Sequence, residues 1–326
     1  MRAARGMNVL IGHFTDRVGG TGCTVVLCPT GATAGVVVRG GAPCTRETDI
    51  FRPGAGVDPR RVHGVLLTGG SVFGLAATEG VVRFLIEQEV GLQTVHARIP
   101  IVAAAGLYDL GVLSAEARPD AAAGYAACVA ASGATPEEGT VGAGTGCTVG
   151  KAAGLERSTK GGLGVATRRL RNGAKIQALV AVNAFGDVVD PQTGAVIAGI
   201  RRRDRPGFEP TSVVIEGRPT RGTSRMNTTI GVVTTDASLT REEAAELAAI
   251  AHDGLAVAIR PAHTRVDGDT LFVLATGRRP TSGLPMRDMI ALGQAAATAV
   301  TDAVVRAVRQ ATGLGGIPAA SELGMR

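Results

Sequence analysis

The stretch Met226-Asn227-Thr228-Thr229-Ile230-Gly231-Val232-Val233 puts a carboxamide and two hydroxyls at the entry to what reads as a core strand. A hydroxyl is a weak nucleophile until a base removes its proton. If the chain is cut before Thr228, the new α-amine, with a reference pKa of about 7.7–8.0, sits on the same residue and can act as that base. The cut itself can be internal. The Thr228 oxygen attacks the Asn227 carbonyl, an ester forms, and water hydrolyses it. A rigid strand over 229–235 would hold the attacking group while a mobile, charged loop over 200–227 leaves after scission. Taken alone, the same residues also read as an ordinary strand start whose hydroxyls satisfy backbone groups.

Other chemical motifs fail on inspection. Gly142-Ala143-Gly144-Thr145-Gly146 leads to Gly150-Lys151 but misses the phosphate loop, because Thr145 stands where its first glycine belongs and Ala152 where its hydroxyl belongs. The five histidines are scattered without a ligand-like pair, so no metal and no cofactor is expected. No Gly-x-Ser-x-Gly element supports a serine triad. Gly69-Gly70-Ser71 lacks a dinucleotide fingerprint, yet backbone amides at that helix start are candidates to bind an anion or carboxylate.

The elements that must position these groups alternate between short apolar runs and helical patterns. Residues 22–28 and 33–40, joined by Pro29-Thr30-Gly31, predict a hairpin. Residues 62–88 predict a strand, a glycine turn and an amphipathic helix; 99–110 predict a strand, followed by a helix near 119–132. A second hairpin over 164–183 turns on Asn172-Gly173, a type I′ signal. Thr240 and Glu243 form a capping box for a helix over about 240–260, stopped by Pro261. Residues 264–277 predict a strand and 284–312 the last helix. Hairpins mixed with helices favour antiparallel-rich sheets covered by helices in one layered domain over 1–326.

Composition narrows the partners. Aromatics are 3% of the 326 residues with no Trp, so the core must be aliphatic, and few rings exist on which bases would stack. The net charge of +6 comes from scattered arginines, and the knots at 168–171 and 201–203 flank turn signals and read as solvated loops. Neither a nucleic-acid partner nor a membrane is expected, since no apolar run approaches a span of about 18 residues. Five cysteines without disulfide-like spacing read as reduced thiols of a cytoplasmic protein, and Met7 is an alternative start to Met1.

Four blocks then stand together in order: "RGGAPCTRETD" (39–49), "LLTGGSVFGLAATEGVVRFL" (66–85), "MNTTIGVVTTD" (226–236) and "HTRVDGDTLF" (263–272). With them the chain resembles the DmpA-type aminopeptidase family, which includes the β-peptidyl aminopeptidases and the nylon-oligomer hydrolases. The resemblance implies a four-layer αββα sandwich, self-cleavage into an α chain 1–227 and a β chain 228–326, and a homo-oligomer, often a tetramer. It implies an amide hydrolase acting on small peptides or peptide-like oligoamides, with Thr228 as nucleophile after cleavage from Asn227. Asp267 and Asp269 match its two acidic positions; spaced i, i+2 on a predicted strand they would share a face, although Asp-Gly-Asp alone reads as a turn. Lys151, one of three lysines in the chain, matches the family lysine, and its alternative is a surface loop. Asn183 matches the asparagine that donates to the oxyanion, and Tyr108 a pocket tyrosine; a turn residue and a packing aromatic are their alternatives.

Departures are specific. The founding members carry serine as nucleophile and serine and glutamate later, whereas Thr228, Asp267 and Asp269 are closer to the nylon-oligomer branch, where Met226 replaces a glycine. An acyltransferase of the ornithine acetyltransferase type shares the implied architecture and a self-generated threonine. A non-catalytic relative that keeps the fold is the third alternative.

Overall fold

The computed structural model describes residues 8–52, 54, 62–217, 226–279 and 285–324. Met1, Met7 and the last part of the 200–227 connector, 218–225, lie outside the described residues. Nine strands make one continuous, mixed sheet: β1 (Leu10–Asp16), β2 (Thr21–Val38), β3 (Thr45–Arg46), β4 (Val62–Thr68), β5 (Val102–Gly106), β6 (Gly162–Arg169), β7 (Lys175–Asn183), β8 (Thr228–Ala237) and β9 (Thr270–Arg279). Their order is β6-β7-β8-β9-β2-β4-β5-β3, with β1 also on β2. Only β8–β9 and β4–β5 pair in parallel.

The hairpin expected over 22–40 does not form. Those residues are one strand of 18, whose first half pairs with β1 and β4 and whose second half pairs with β9. Pro29-Thr30-Gly31 marks the place where the register to β4 shifts between Leu27 and Ala32, a bend rather than a reversal. β2 therefore carries the sheet from one half to the other, and the halves face each other across an apolar core.

Alternation along the strands produces the layers. Val26, Val65, Leu67, Ala103 and Ala105 point inward against Leu179, Ala181, Ile230, Val232, Phe272 and Leu274. The alternate residues Cys23, Val25, Leu27 and Leu66 pack under α2 (Ala77–Glu87), which follows the single-turn helix α1 (Ser71–Gly74), and under α3 (Ala121–Val129). Beyond the short helix α4 (Thr211–Gly217), the chain supplies the opposite outer face, where Ala178, Val180, Val233, Leu271 and Val273 pack under α5 (Arg241–Ala258) and α6 (Met286–Arg309). The result is the four-layer α/β arrangement, αββα. The Thr240–Glu243 capping box begins α5, satisfying amides the helix cannot.

Three local expectations are corrected. The 164–183 hairpin forms, but its turn is not type I′. The Gly173 N–H donates to the Leu170 carbonyl and only Gly173 has positive φ, the longer loop with a left-handed glycine at its end. The stretch 200–217 is not a loose loop: Ile200–Arg201 pairs with Phe208–Glu209, and the helix Thr211–Gly217 follows. Its Arg201 is no solvated charge, since the guanidinium donates to the carbonyls of Ser158 and Glu156. β9 begins at Thr270, so Asp267 and Asp269 lie in the turn before it, not on a strand face. All five cysteines are free thiols, four of them buried. Among the described residues no helix is long and apolar enough to cross a membrane.

With so few aromatics, the helices close on each other through backbone. A Cβ on Gly80 of α2 would lie 1.8 Å from the Ala121 carbonyl oxygen, and one on Gly124 of α3 would lie 1.9 Å from that of Ala77. Gly80→Ala is expected to lower unfolding stability by about 1–3 kcal/mol through overpacking. Urea unfolding with an unchanged slope and a lower midpoint checks this.

Candidate active site

Antiparallel pairing sets Asn183, the last residue of β7, opposite Thr228, the first of β8. Parallel pairing of β8 with β9 lays the turn before β9 alongside the same end, where Asn227 bridges to Asp267. Thr228 is 4% exposed, Asp267 1% and Asp269 2%, so the cluster is interior.

The peptide between Asn227 and Thr228 is gripped from several sides. Its carbonyl accepts the Gly268 N–H at 2.8 Å and also the Thr228 hydroxyl. The Asn227 N–H donates to the Val266 carbonyl at 2.8 Å. On the far side, residues 39–42 clamp the acidic turn. The Arg39 N–H donates to the Asp269 carbonyl (2.8 Å) and the Ala42 N–H to that of Asp267 (2.9 Å). Gly40, at φ 103°, makes this approach possible, because a Cβ there would meet the Asp267 oxygen at 2.4 Å.

The two carboxylates have separate jobs. One Asp269 oxygen accepts the Thr229 N–H at 2.8 Å; the other accepts the His263 N–H at 3.0 Å and its ring Nδ1 at 2.8 Å. Asp267 accepts the Phe185 N–H (3.2 Å), the Thr264 N–H (3.1 Å) and the Thr264 hydroxyl. Burial, reinforced by repulsion from Asp269, pushes the Asp267 carboxyl above the usual aspartate range.

Lys151 is no surface lysine. It is fully interior, and its Nζ donates to the Asn183 carbonyl at 2.9 Å and to Asn183 Oδ1 at 2.8 Å. Burial lowers its pKa to about 7, with Asp267 among the groups opposing that shift. The glycine-rich run that imitates a phosphate loop has a different use. Left-handed Gly150 (φ 71°) packs against Gly199 at 2.3 Å from its would-be Cβ and turns Lys151 inward. Asn183 Oδ1 also accepts the Thr148 N–H at 3.0 Å, and Nδ2 donates to the Tyr108 carbonyl at 2.9 Å. This fixes which end of the carboxamide is the donor. Tyr108 reaches the cluster with its backbone.

Gly69, Gly70 and Ser71 do not offer the anion cradle expected of them. Their N–H groups are committed to the Gly22 carbonyl, Asp109 Oδ1 and the Leu107 carbonyl, and the helix they begin, Ser71–Gly74, is a single turn. Four contributors escaped the sequence reading: His263, Thr264, Thr148 and the Gly268 amide. All but Thr148 stand inside the "HTRVDGDTLF" block, but only their contacts reveal what they hold. Two surface grooves of about 600 and 660 Å³, lined by residues such as Arg168, Arg309, Val196 and Phe208, include none of the cluster. Among the described residues, no group of three or more His, Cys, Asp or Glu side chains has metal-binding geometry.

Residues 7–320 match the peptidase family S58, and the chain belongs to that family, whose members hydrolyse amide bonds. It is 41% identical over 312 residues to an uncharacterized aminopeptidase of Mycobacterium tuberculosis, covering 91% of this chain and 88% of that one. It is 32% identical over 317 residues to a 6-aminohexanoate-oligomer endohydrolase of Kocuria sp., covering 93% and 84%. Among solved structures, the L-aminopeptidase D-Ala-esterase/amidase of Ochrobactrum anthropi superposes with a TM-score of 0.68 at 20% identity, over 95% of this chain and 88% of that one. That structure is described as a variant of the N-terminal-nucleophile hydrolase fold, and at this identity the likeness is one of fold.

The buried amine makes a stability test. The unfolded chain keeps the Lys151 proton to about pH 10.4, whereas the fold releases it near 7, so the unfolded state binds more protons in between and stability rises with pH. The unfolding free energy of the wild type relative to Lys151→Met is expected to gain roughly 3–4 kcal/mol from pH 7 to pH 10. Denaturant titrations at the two pH values measure it.

Proposed function

We propose that this chain is an amide hydrolase that cuts itself between Asn227 and Thr228 and then uses Thr228 as its nucleophile. The observation that carries this reading is the double engagement of the Asn227 carbonyl, by the Thr228 hydroxyl and by the Gly268 N–H at 2.8 Å. A donor on that oxygen stabilises negative charge where attack would develop it. In the self-cleavage step, Thr228 Oγ bonds to the Asn227 carbonyl carbon as the C–N bond breaks, and the hydroxyl proton ends on the Thr228 nitrogen. Water then hydrolyses the ester, returning the hydroxyl and leaving Asn227 with a carboxylate. The products are an α chain, 1–227, and a β chain, 228–326.

The freed amine takes over as base for attack on substrate. Asp269, bonded to the next residue's amide, is placed to orient it, and Asp267 is the second acid beside it. Asn183 Nδ2 has a second hydrogen beyond the one given to Tyr108, which suits a donor to the substrate oxyanion. Lys151 keeps Asn183 in that orientation. Substrates are short peptides or oligoamides of longer-backbone amino acids, as the names of the aminopeptidase and the 6-aminohexanoate-oligomer endohydrolase relatives suggest.

Intact-mass measurement of the purified protein should find two polypeptides meeting at Asn227/Thr228, and a single one for Thr228→Ala. A wild-type chain that stays whole and still hydrolyses amides would overturn the proposal. Hydrolysis should slow as pH falls below the α-amine pKa of about 8, because the ammonium form accepts no proton. A flat rate profile from pH 5 to 9 would remove the amine from the mechanism.

A further inference from the structure

We infer that His263 is a positioning residue for self-cleavage: its ring and its own amide together hold the Asp269 carboxylate against the amide of Thr229, one residue from the attacking hydroxyl. The inference rests on the reading of Thr228 given above and extends it to a residue that touches neither the scissile peptide nor substrate.

Asp269 Oδ2 takes two N–H bonds from this single residue, at 3.0 Å from the backbone and 2.8 Å from Nδ1. The backbone of His263 is left-handed, at φ 57°, which swings amide and ring to the same side. For a residue other than glycine that conformation is uncommon, with Asn, Asp and His its most frequent exceptions. Non-glycine residues in such conformations cluster at functional sites, where neighbouring structure holds them. Here the holding contacts are evident, since the Thr264 carbonyl accepts the Gly41 N–H at 3.1 Å and Thr264 itself clamps Asp267.

Hydrogen-bond chemistry identifies the donor. A carboxylate only accepts, so Nδ1 of His263 carries the hydrogen that Asp269 receives. His252 of α5 backs this ring edge-on, with centroids 5.0 Å apart at 62°. Its Nε2 meets the Val37 carbonyl at 2.9 Å and must donate, so Nδ1 is the bare nitrogen. His263 Nε2 and His252 Nδ1 are both buried without a hydrogen-bond partner, so Nδ1 is the ring nitrogen through which His263 acts. Burial lowers the His252 pKa to about 4. The other charged groups around the pair are Asp267 in the same turn, Arg39 at the end of β2 and Lys151 beyond Asp267. His263 thus acts by direction: a ring N–H donor with one partner within reach.

Two substitutions separate the backbone from the ring. His263→Gly accepts the left-handed φ and removes the ring donor, while His263→Asn accepts the same φ and keeps a side-chain N–H at a similar reach. The chains are synthesised cell-free and followed by denaturing electrophoresis for the appearance of the two fragments, with thermal melting of each variant in parallel. We expect His263→Gly to slow self-cleavage about tenfold or more, as loss of a charge-assisted bond would, and His263→Asn to recover the rate to within about threefold of wild type. Self-cleavage of His263→Gly at the wild-type rate, or His263→Asn no faster than His263→Gly, overturns the inference while leaving the reading of Thr228 intact. An active wild type that is never cut overturns both.

Discussion

Two carboxylates, an amine and a carboxamide are buried within one end of a β-sheet, and the rest of the structure depends on satisfying them. Unpaired, each would cost more free energy than the fold could spare. Every one is met by groups whose positions follow from strand register or a tight turn: the Thr229 and Phe185 amides, the Thr148 amide, and the Tyr108 and Asn183 carbonyls, while residues 39–42 clamp the backbone of the acidic turn. Because backbone supplies most of the partners, the site is as rigid as the sheet. The price of that rigidity is low tolerance, since a slip of one residue in β7 or β8 would turn the paired side chains to the other face.

That explains the architecture around it. β2 crosses from one half of the sheet to the other, so the segment after it, 39–42, arrives where β8 and β9 begin. Small residues let helices close on one another and on the strands without bulky aromatics. The Cβ distances at Gly80, Gly124 and Gly164, 1.8–1.9 Å from carbonyl oxygens, are the local signs of this. The titratable groups at the end of the apolar layer between the half-sheets are almost wholly buried, and burial dominates the shifts at Lys151 and Asp267.

Much was legible locally. The capping box at Thr240 and Glu243, the strand entered through Thr228 and the helix after Gly69-Gly70 need only nearby residues to specify them. Four ordered blocks identified the family because their combination is improbable by chance, although each alone is short. Errors arose where a local signal was overruled by a distant partner. Pro29-Thr30-Gly31 has turn chemistry, but β1, β4 and β9 hold the chain extended through it. Gly69 to Ser71 expose amides at a helix start in principle, but Asp109 and two carbonyls from other elements had already claimed them.

By itself the sequence determined residue chemistry, the alternation that sorts inward from outward faces, and the presence of a hydroxyl beside the Asn227–Thr228 peptide. Only the tertiary structure decided that Lys151 is buried, that Asp267 and Asp269 occupy a turn with different partners, and that His263 serves one of them. The physical reason is separation along the chain. Burial and hydrogen bonding at this site join residues from 39 to 269, and those contacts exist only after the sheet has aligned its strands.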